Sequence, residues 1–152
     1  MDRPTARPEA ARLPSPVVLD TNVLLDLWVF DDPATQPLRQ ALDNGQLRWL
    51  ATRPMREEWQ RVLDYPQIVR RLQAGQHTRE AMLARFDQAA QWEPVPPKAP
   101  FTCKDADDQK FIDLAAAHRA VLLSKDQAVL CMARRLQSLG VHTLRVWSGT
   151  PD

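Results

Sequence analysis

The sequence has two cysteines, no apolar run long enough to span a membrane, and almost no net charge. Each of these properties excludes some classes of protein. The two cysteines, Cys103 and Cys131, lie in no C-x-x-C motif and near no pair of histidines, so neither a zinc site nor a disulfide framework is indicated. We therefore expect a cytoplasmic protein. No apolar run approaches the roughly 20 residues of a membrane span, so no membrane partner is expected. The net charge of +1 means that any binding to nucleic acid must use a local patch.

The composition that remains is that of one globular domain. The chain has 152 residues, of which 44% are hydrophobic and 26% are charged. Residues 1–16 are rich in proline and arginine and lack the apolar segment of a secretory signal, so we interpret them as an extended arm. The predicted domain covers residues 17–147, and residues 148–152 form a short tail.

Strands and helices are predicted to alternate after the arm, which favours an α/β fold with a parallel sheet and helices on both faces. Thr21 is a candidate cap for the first helix. The predicted strands are 17–20, 47–51, 93–95, 121–124 and 142–146. The main predicted helices after the first are 33–44, 54–63, 66–72, 79–92, 107–118 and 126–139. The helices between residues 54 and 92 exceed what one crossover needs, so they form an inserted helical lobe.

Acidic residues follow two of the predicted strands. Asp20 ends the apolar run of the first strand, and Asp126 comes shortly after the strand 121–124. Ligands of open parallel sheets bind at the carboxyl ends of the strands, so these acids indicate a site.

Helical phase selects two further acids. With 100° per residue, Glu58 lies at the margin of the apolar stripe of its helix, whereas Glu57 lies nearly opposite. In the next acidic helix Asp108 shares the apolar face and Asp113 points to solvent, while Asp107 stays a candidate. Carboxylates beside apolar surface are costly unless they are paired, and a divalent cation removes that cost.

Each acid also has a simpler interpretation, which the sequence leaves open. Asp105 or Asp107 can be the N-cap of the helix that follows, Asp126 can be the N-cap of the last helix, and Asp20 can end a strand without a further task. It is less plausible that all four of Asp20, Glu58, Asp108 and Asp126 are incidental, so the sequence favours a metal site.

Four segments in order resemble the successive acidic motifs of PIN-domain ribonucleases. They are VLDTNVLL (18–25), EWQRVL (58–63), DADDQKF (105–111) and LSKD (123–126). The resemblance covers about residues 17–146 and is closest to the toxins of bacterial type II toxin–antitoxin pairs. It implies a Rossmann-like three-layer α/β/α fold with a mainly parallel sheet of five strands. It also implies a metal-dependent endoribonuclease that uses Mg²⁺ or Mn²⁺ and has RNA as substrate and a cognate antitoxin as partner. The five tryptophans are enough for a core and an oligomer surface, so a homodimer is a further candidate.

The resemblance also assigns roles to particular residues. The implied metal-binding and catalytic acids are Asp20, Glu58, Asp108 and Asp126, and the implied polar helpers are Asn22 and Ser124. Because Mg²⁺ usually takes only one or two carboxylates directly, we expect Asp20 and Asp108 to be the closest ligands. The other two acids then act through water or hold a second ion. Ser124 either bonds a phosphate oxygen or caps a turn.

RNA binding requires local positive charge. Residues 47–86 contain eight arginines and four acids, which gives this lobe a charge of +4. The candidate RNA-binding residues are Arg53, Arg56 and Arg61, on the helix of Glu58, and Lys125 beside Asp126. The alternative is a solvated helix face.

Other classes of protein stay open. A haloacid-dehalogenase-like phosphatase would need a second aspartate where Asn22 stands, and a receiver domain would need an acidic pair before the strand acid. A catalytically silent PIN-like module that binds RNA or protein is a third interpretation, and the four intact acids argue against it.

Overall fold

The sheet of this protein has five strands, all parallel. A computed structural model describes residues 14–149, so residues 1–13 of the predicted arm and 150–152 of the predicted tail lie outside it. The strands are β1 (Ser15–Leu19), β2 (Leu47–Ala51), β3 (Gln91–Trp92), β4 (Val121–Leu123) and β5 (His142–Leu144). Their order is β3-β2-β1-β4-β5, with every neighbouring pair parallel. The predicted α/β fold with a five-stranded parallel sheet is confirmed.

The central strand shows why the sheet has this form. Val17, Val18 and Leu19 of β1 are all buried, because helices cover both faces of the sheet and leave no solvent side. β1 begins at Ser15, two residues before the predicted boundary of the domain. β1 lies between β2 and β4, so its carboxyl end is at the middle of the edge where ligands of such sheets bind.

Helices occupy most of the remaining chain, and none in residues 14–149 is long and apolar enough to span a bilayer. The α-helices are α1 (Thr21–Leu24), α2 (Gln36–Asp43), α3 (Arg53–Val62), α4 (Pro66–Ala74), α5 (Arg79–Ala89), α6 (Gln109–His118), α7 (Gln127–Leu130) and α8 (Ala133–Gln137). A π-helical turn, Leu25–Val29, continues α1, and 3-10 turns at Pro33–Thr35 and Ala106–Asp108 precede α2 and α6.

Two predicted elements differ from the observed ones. The third strand is Gln91–Trp92 rather than 93–95, because the prolines at 94, 96 and 97 lack the N–H that a strand ladder needs. The predicted helix 126–139 is divided into α7 and α8 by a turn at Cys131 and Met132. No proline or glycine marks this break in the sequence.

Aromatic packing fixes the helical lobe against the sheet. Trp59 of α3 is fully buried, and its indole N–H donates to the carbonyl of Met82 in α5 at 3.2 Å. Its ring lies 5.8 Å from that of Trp28, which in turn meets Trp49 of β2 at 5.5 Å. Phe86 of α5 completes the cluster, 4.6 Å from Trp49. This cluster holds α3, and with it Glu58, in a defined position over the edge of the sheet.

Candidate metal centre

The carboxyl ends of β1 and β4 bring Asp20 and Ser124 together. The backbone N–H of Asp20 donates to the carbonyl of Leu123 at 3.0 Å, which continues the β1–β4 ladder past the end of the strand. The hydroxyl of Ser124 donates to Oδ2 of Asp20 at 2.7 Å. Both residues are buried, so this contact forms in the interior and not on the surface.

The second oxygen of Asp20 begins a helix. Oδ1 accepts the backbone N–H of Asn22 at 3.2 Å, which makes Asp20 the N-cap of α1. The prediction that Thr21 is the cap is therefore wrong, because Thr21 is already the first helical residue. The pKa of Asp20 is raised, mainly by burial, and the negative charges of Glu58 and Asp126 add to the effect. The hydrogen bonds from Ser124 and Asn22 act in the opposite direction.

Three aspartates form a second group beside this pair. One carboxylate oxygen from each of Asp105, Asp108 and Asp126 lies within 4.8 Å of the others. Asp105 and Asp126 are N-caps: Asp105 accepts the N–H of Asp107 at 3.0 Å, and Asp126 accepts that of Ala128 at 2.9 Å. Capping and membership of the acidic group are thus not alternatives, because a carboxylate has about four acceptor sites and a cap uses one.

Asp108 is the most buried of the three aspartates. Its pKa is raised to about 8, first by burial, then by its hydrogen bond with Asp126 and by the charges of Asp20, Asp126 and Asp105. The same hydrogen bond lowers the pKa of Asp126. Oδ2 of Asp108 is buried and has no hydrogen-bond partner in the structure. An orphaned carboxylate oxygen among acids of like charge fits a divalent cation, which prefers oxygen ligands.

Glu58 reaches the border of this group from α3. It is half-buried, with 18% of its side chain exposed, and its Oε1 lies 2.5 Å from Nζ of Lys110 in α6. Glu57 is exposed, as the helical phase predicts, and Asp107 is exposed beside the buried Asp108. Lys110 also donates to the carbonyl of Asp107, so one lysine links the two acidic doublets.

Asp113 differs from the prediction that it points to solvent, whereas Ser124 caps a turn, which is one of its two predicted roles. Asp113 does not face solvent: it accepts the N–H of Ala99 at 2.8 Å and Nε2 of Gln109 at 2.9 Å, because it anchors the proline-rich segment before α6. Ser124 is fully buried, and its hydroxyl also accepts the N–H of Asp126 at 3.0 Å. Its contacts connect Asp20 with the start of α7.

The predicted RNA-binding cations are spread over different partners. Arg56 makes a two-point ion pair with Asp87 of α5, at 2.7 and 3.1 Å, and therefore faces the lobe. Lys125 pairs with Asp26 at 2.5 Å. Arg53 and Arg61 are exposed on α3.

Asn22, the predicted polar helper, is exposed on α1 and touches the site through its backbone N–H to Asp20. The sequence analysis assigned no role in the metal site to Asp105 or Lys110. The spacing of three residues between Asp105 and Asp108 was the available signal for Asp105, since it brings both to one side of a turn.

This arrangement of sheet, edge and acids agrees with the comparison to known families. The family model described as PIN domain matches residues 16–128, about three quarters of the chain, and all five acids of the site lie within that range. The protein belongs to the PIN domain family. Members of the family are typically nucleases that use divalent metals, which makes nucleic acid the substrate class of this fold. A comparison with curated proteins gave no match.

Proposed function

We propose that this protein is a metal-dependent endoribonuclease that uses Mg²⁺ or Mn²⁺ and acts as the toxin of a toxin–antitoxin pair. The observation that carries the metal dependence is Asp108, a buried carboxyl with an orphaned oxygen beside Asp105 and Asp126. The toxin role rests on the sequence resemblance. A small adjacent reading frame that encodes a DNA-binding antitoxin would favour it over a role in RNA processing.

The acids of the site would have different roles in metal binding. Asp108 and Asp20 would be the direct ligands of the ion, and Asp126 and Asp105 would complete the set directly or through water. Bound Mg²⁺ or Mn²⁺ lowers the pKa of a coordinated water and stabilises negative charge on the phosphate. Ser124 holds Asp20 in one rotamer by its 2.7 Å hydrogen bond, which keeps the carboxylate ready for that role.

Glu58 would orient the attacking water and accept its proton. A general base has to be held in place before it acts, and Nζ of Lys110 lies 2.5 Å from Oε1 of Glu58. The same contact positions the carboxylate, since Lys110 is anchored on α6 beside Asp108. We assign Lys110 as a positioning residue.

RNA would approach across the face of α3 that bears Arg61, one turn from Glu58. Arg53 and Arg61 are exposed and have no ion pair with any described residue, so they are free to meet phosphates. Arg56 contributes less, because Asp87 already neutralises it. Lys125 would contact RNA only by leaving Asp26.

The function is tested by incubating the purified protein with single-stranded RNA and with duplex DNA in millimolar Mn²⁺. We expect cleavage of the RNA, with the duplex largely intact. Glu58→Gln should lower the cleavage rate by about 10²–10⁴-fold, the usual contribution of a general base. Glu57→Gln is the matched control and should retain most of the activity, since Glu57 is exposed on the other side of the helix.

Equal loss of activity in both variants would show that charge on α3, and not the position of Glu58, governs cleavage. If the wild-type protein binds RNA but leaves it intact in Mn²⁺, the protein is a silent binding module and the proposed activity is wrong.

Metal binding is tested separately by thermal unfolding. An ion that binds only the folded protein stabilises it by mass action, so millimolar Mn²⁺ at about 100 times its Kd should raise Tm by roughly 5–10 °C relative to EDTA. Asp126→Asn should reduce this rise, while asparagine preserves the cap of α7. Glu57→Gln should show the full rise. Identical melting curves of the wild type in Mn²⁺ and in EDTA would contradict a metal site.

A further inference from the structure

A cavity of about 420 Å³ opens at the edge of the sheet opposite the acids. Leu47 at the start of β2 and Gln91 at the start of β3 line it, whereas the acidic site follows the ends of β1 and β4. The length of the strands separates the two sites by about 15 Å. The volume falls in the range of small-molecule sites, which are concave and have a few polar groups on apolar walls.

Three arginines line this cavity. Arg39, Arg48 and Arg85 line it together with one acid, Asp43. Arg39 is neutralised by Asp31 at 3.0 Å, but Arg48 and Arg85 form no ion pair with any residue in the range 14–149. The pKa of Arg85 is lowered, first by burial and then by the charge of Arg39, while the charges of Asp43 and Asp31 act in the opposite direction. The cavity therefore has more positive than negative charge, since Asp43 and Asp31 offset only part of the charge of the three arginines.

The walls of the cavity are apolar and aromatic. Leu27, Leu42, Trp28 and Trp49 contribute to them. The guanidinium of Arg85 lies 4.8 Å from the centroid of the Trp28 ring, which holds its planar donor group in one orientation. The indole nitrogen of Trp49 is buried and has no acceptor in the described part of the chain.

We infer that this cavity binds a nucleotide, with its phosphate between Arg48 and Arg85 and its base against the apolar wall. Guanidinium groups bind phosphate through two parallel hydrogen bonds, and two of them without carboxylate partners suit a dianion. Inorganic phosphate alone would fill only a small part of the 420 Å³ cavity, whereas a nucleoside monophosphate would fill more of it. The ligand is either a free nucleotide or the phosphorylated end of an RNA chain. This site goes beyond the proposed function and does not depend on it.

Calorimetric titration in EDTA tests the inference, because chelation prevents cleavage and leaves the acidic edge unattractive to phosphate. The probes are uridine 5′-monophosphate, adenosine 5′-monophosphate, uridine, inorganic phosphate, and a trinucleotide with either a 5′-phosphate or a 5′-hydroxyl. We expect both monophosphates to bind more tightly than inorganic phosphate and uridine. Arg48→Gln and Arg85→Gln should each weaken binding by about tenfold or more. Arg134→Gln, an exposed arginine on α8, should leave the affinity unchanged.

The trinucleotides distinguish the two sources. Tighter binding of the 5′-phosphorylated trinucleotide than of the monophosphate identifies an RNA end, and the reverse identifies a free nucleotide. The indole N–H resonance of Trp49, assigned with Trp49→Phe, should shift on binding. Equal affinity of the wild type, Arg48→Gln and Arg85→Gln for the monophosphates, with Tm unchanged, would overturn the site. Equal affinity for inorganic phosphate and monophosphate would overturn the role of the base.

Discussion

Replacement of Asp108 by asparagine should lower RNA cleavage by about 10³-fold or more while it makes the metal-free protein more stable. The loss of activity follows from removal of the acid with the orphaned oxygen, for which the amide is a poor ligand. The gain in stability follows because Asp108 is buried among Asp20, Asp105 and Asp126, whose charges repel it. Cleavage assays in Mn²⁺ and denaturant unfolding in EDTA measure the two effects.

The gain in stability of Asp108→Asn over the wild type should depend on pH. Without metal, Asp108 keeps its proton up to its folded-state pKa of about 8, whereas in the unfolded chain it loses the proton near the ordinary value of 3.8. The wild type is therefore favoured at low pH and loses stability as the pH rises from about 4 to about 8, by roughly 2–4 kcal/mol. The lowered pKa of Asp126 acts in the opposite direction and limits the loss. Asp108→Asn should not show the part of this pH-dependent loss of stability that Asp108 causes.

Asp107→Asn is the matched control, since Asp107 is the exposed neighbour in the same turn. It should keep its activity and the pH dependence of the wild type. Asp108→Asn with unchanged stability at pH 8 would mean that the carboxyl carries no electrostatic strain, and the argument for a cation at this position would fail with it.

Trp59→Ala should destabilise the protein more than any other single truncation of a tryptophan. The side chain is fully buried, packs against Trp28 and Phe86, and donates to the carbonyl of Met82. Removal leaves a large cavity, at a cost of about 3–5 kcal/mol and a fall in Tm of about 10 °C. Equilibrium unfolding in urea gives the free energy.

The exposed Trp92 provides the control for this truncation. It is 45% exposed and meets the cluster only through Phe86, so Trp92→Ala should cost roughly 1 kcal/mol. Similar losses in both variants would show that the cluster is not the anchor of α3.

The hydrophobic periodicity of the sequence was enough to predict the sheet and the relative burial of the acids within the doublets. The parallel sheet follows from apolar runs that alternate with amphipathic helices, and β2 has the predicted bounds. Helical phase correctly separated buried from exposed acids within the doublets, since Glu58 and Asp108 are the less exposed members. These are local properties, which a single sequence contains.

Contacts between distant segments were not predictable in the same way. Arg56 pairs with a carboxylate 31 residues further along the chain, and Lys110 pairs with Glu58 across two helices. The sequence shows where these charged residues lie along the chain, but not which residues they pair with. The sequence leaves Asp105 and Asp107 open as the cap, and Asp105 is the one observed. Its second role appears only when the fold brings Asp126 beside it.

Three of the acids at this edge of the sheet are also N-caps. Their negative charge can therefore be removed without loss of the local fold. Asp20, Asp105 and Asp126 each accept an N–H in the first turn of a helix of three or four residues. Asparagine and serine serve as N-caps about as well as aspartate, so each of these positions tolerates a neutral residue without loss of its turn. Asp108 makes no capping hydrogen bond. Its carboxyl begins no helix and lies among acids that repel it, so selection for stability alone would not retain it.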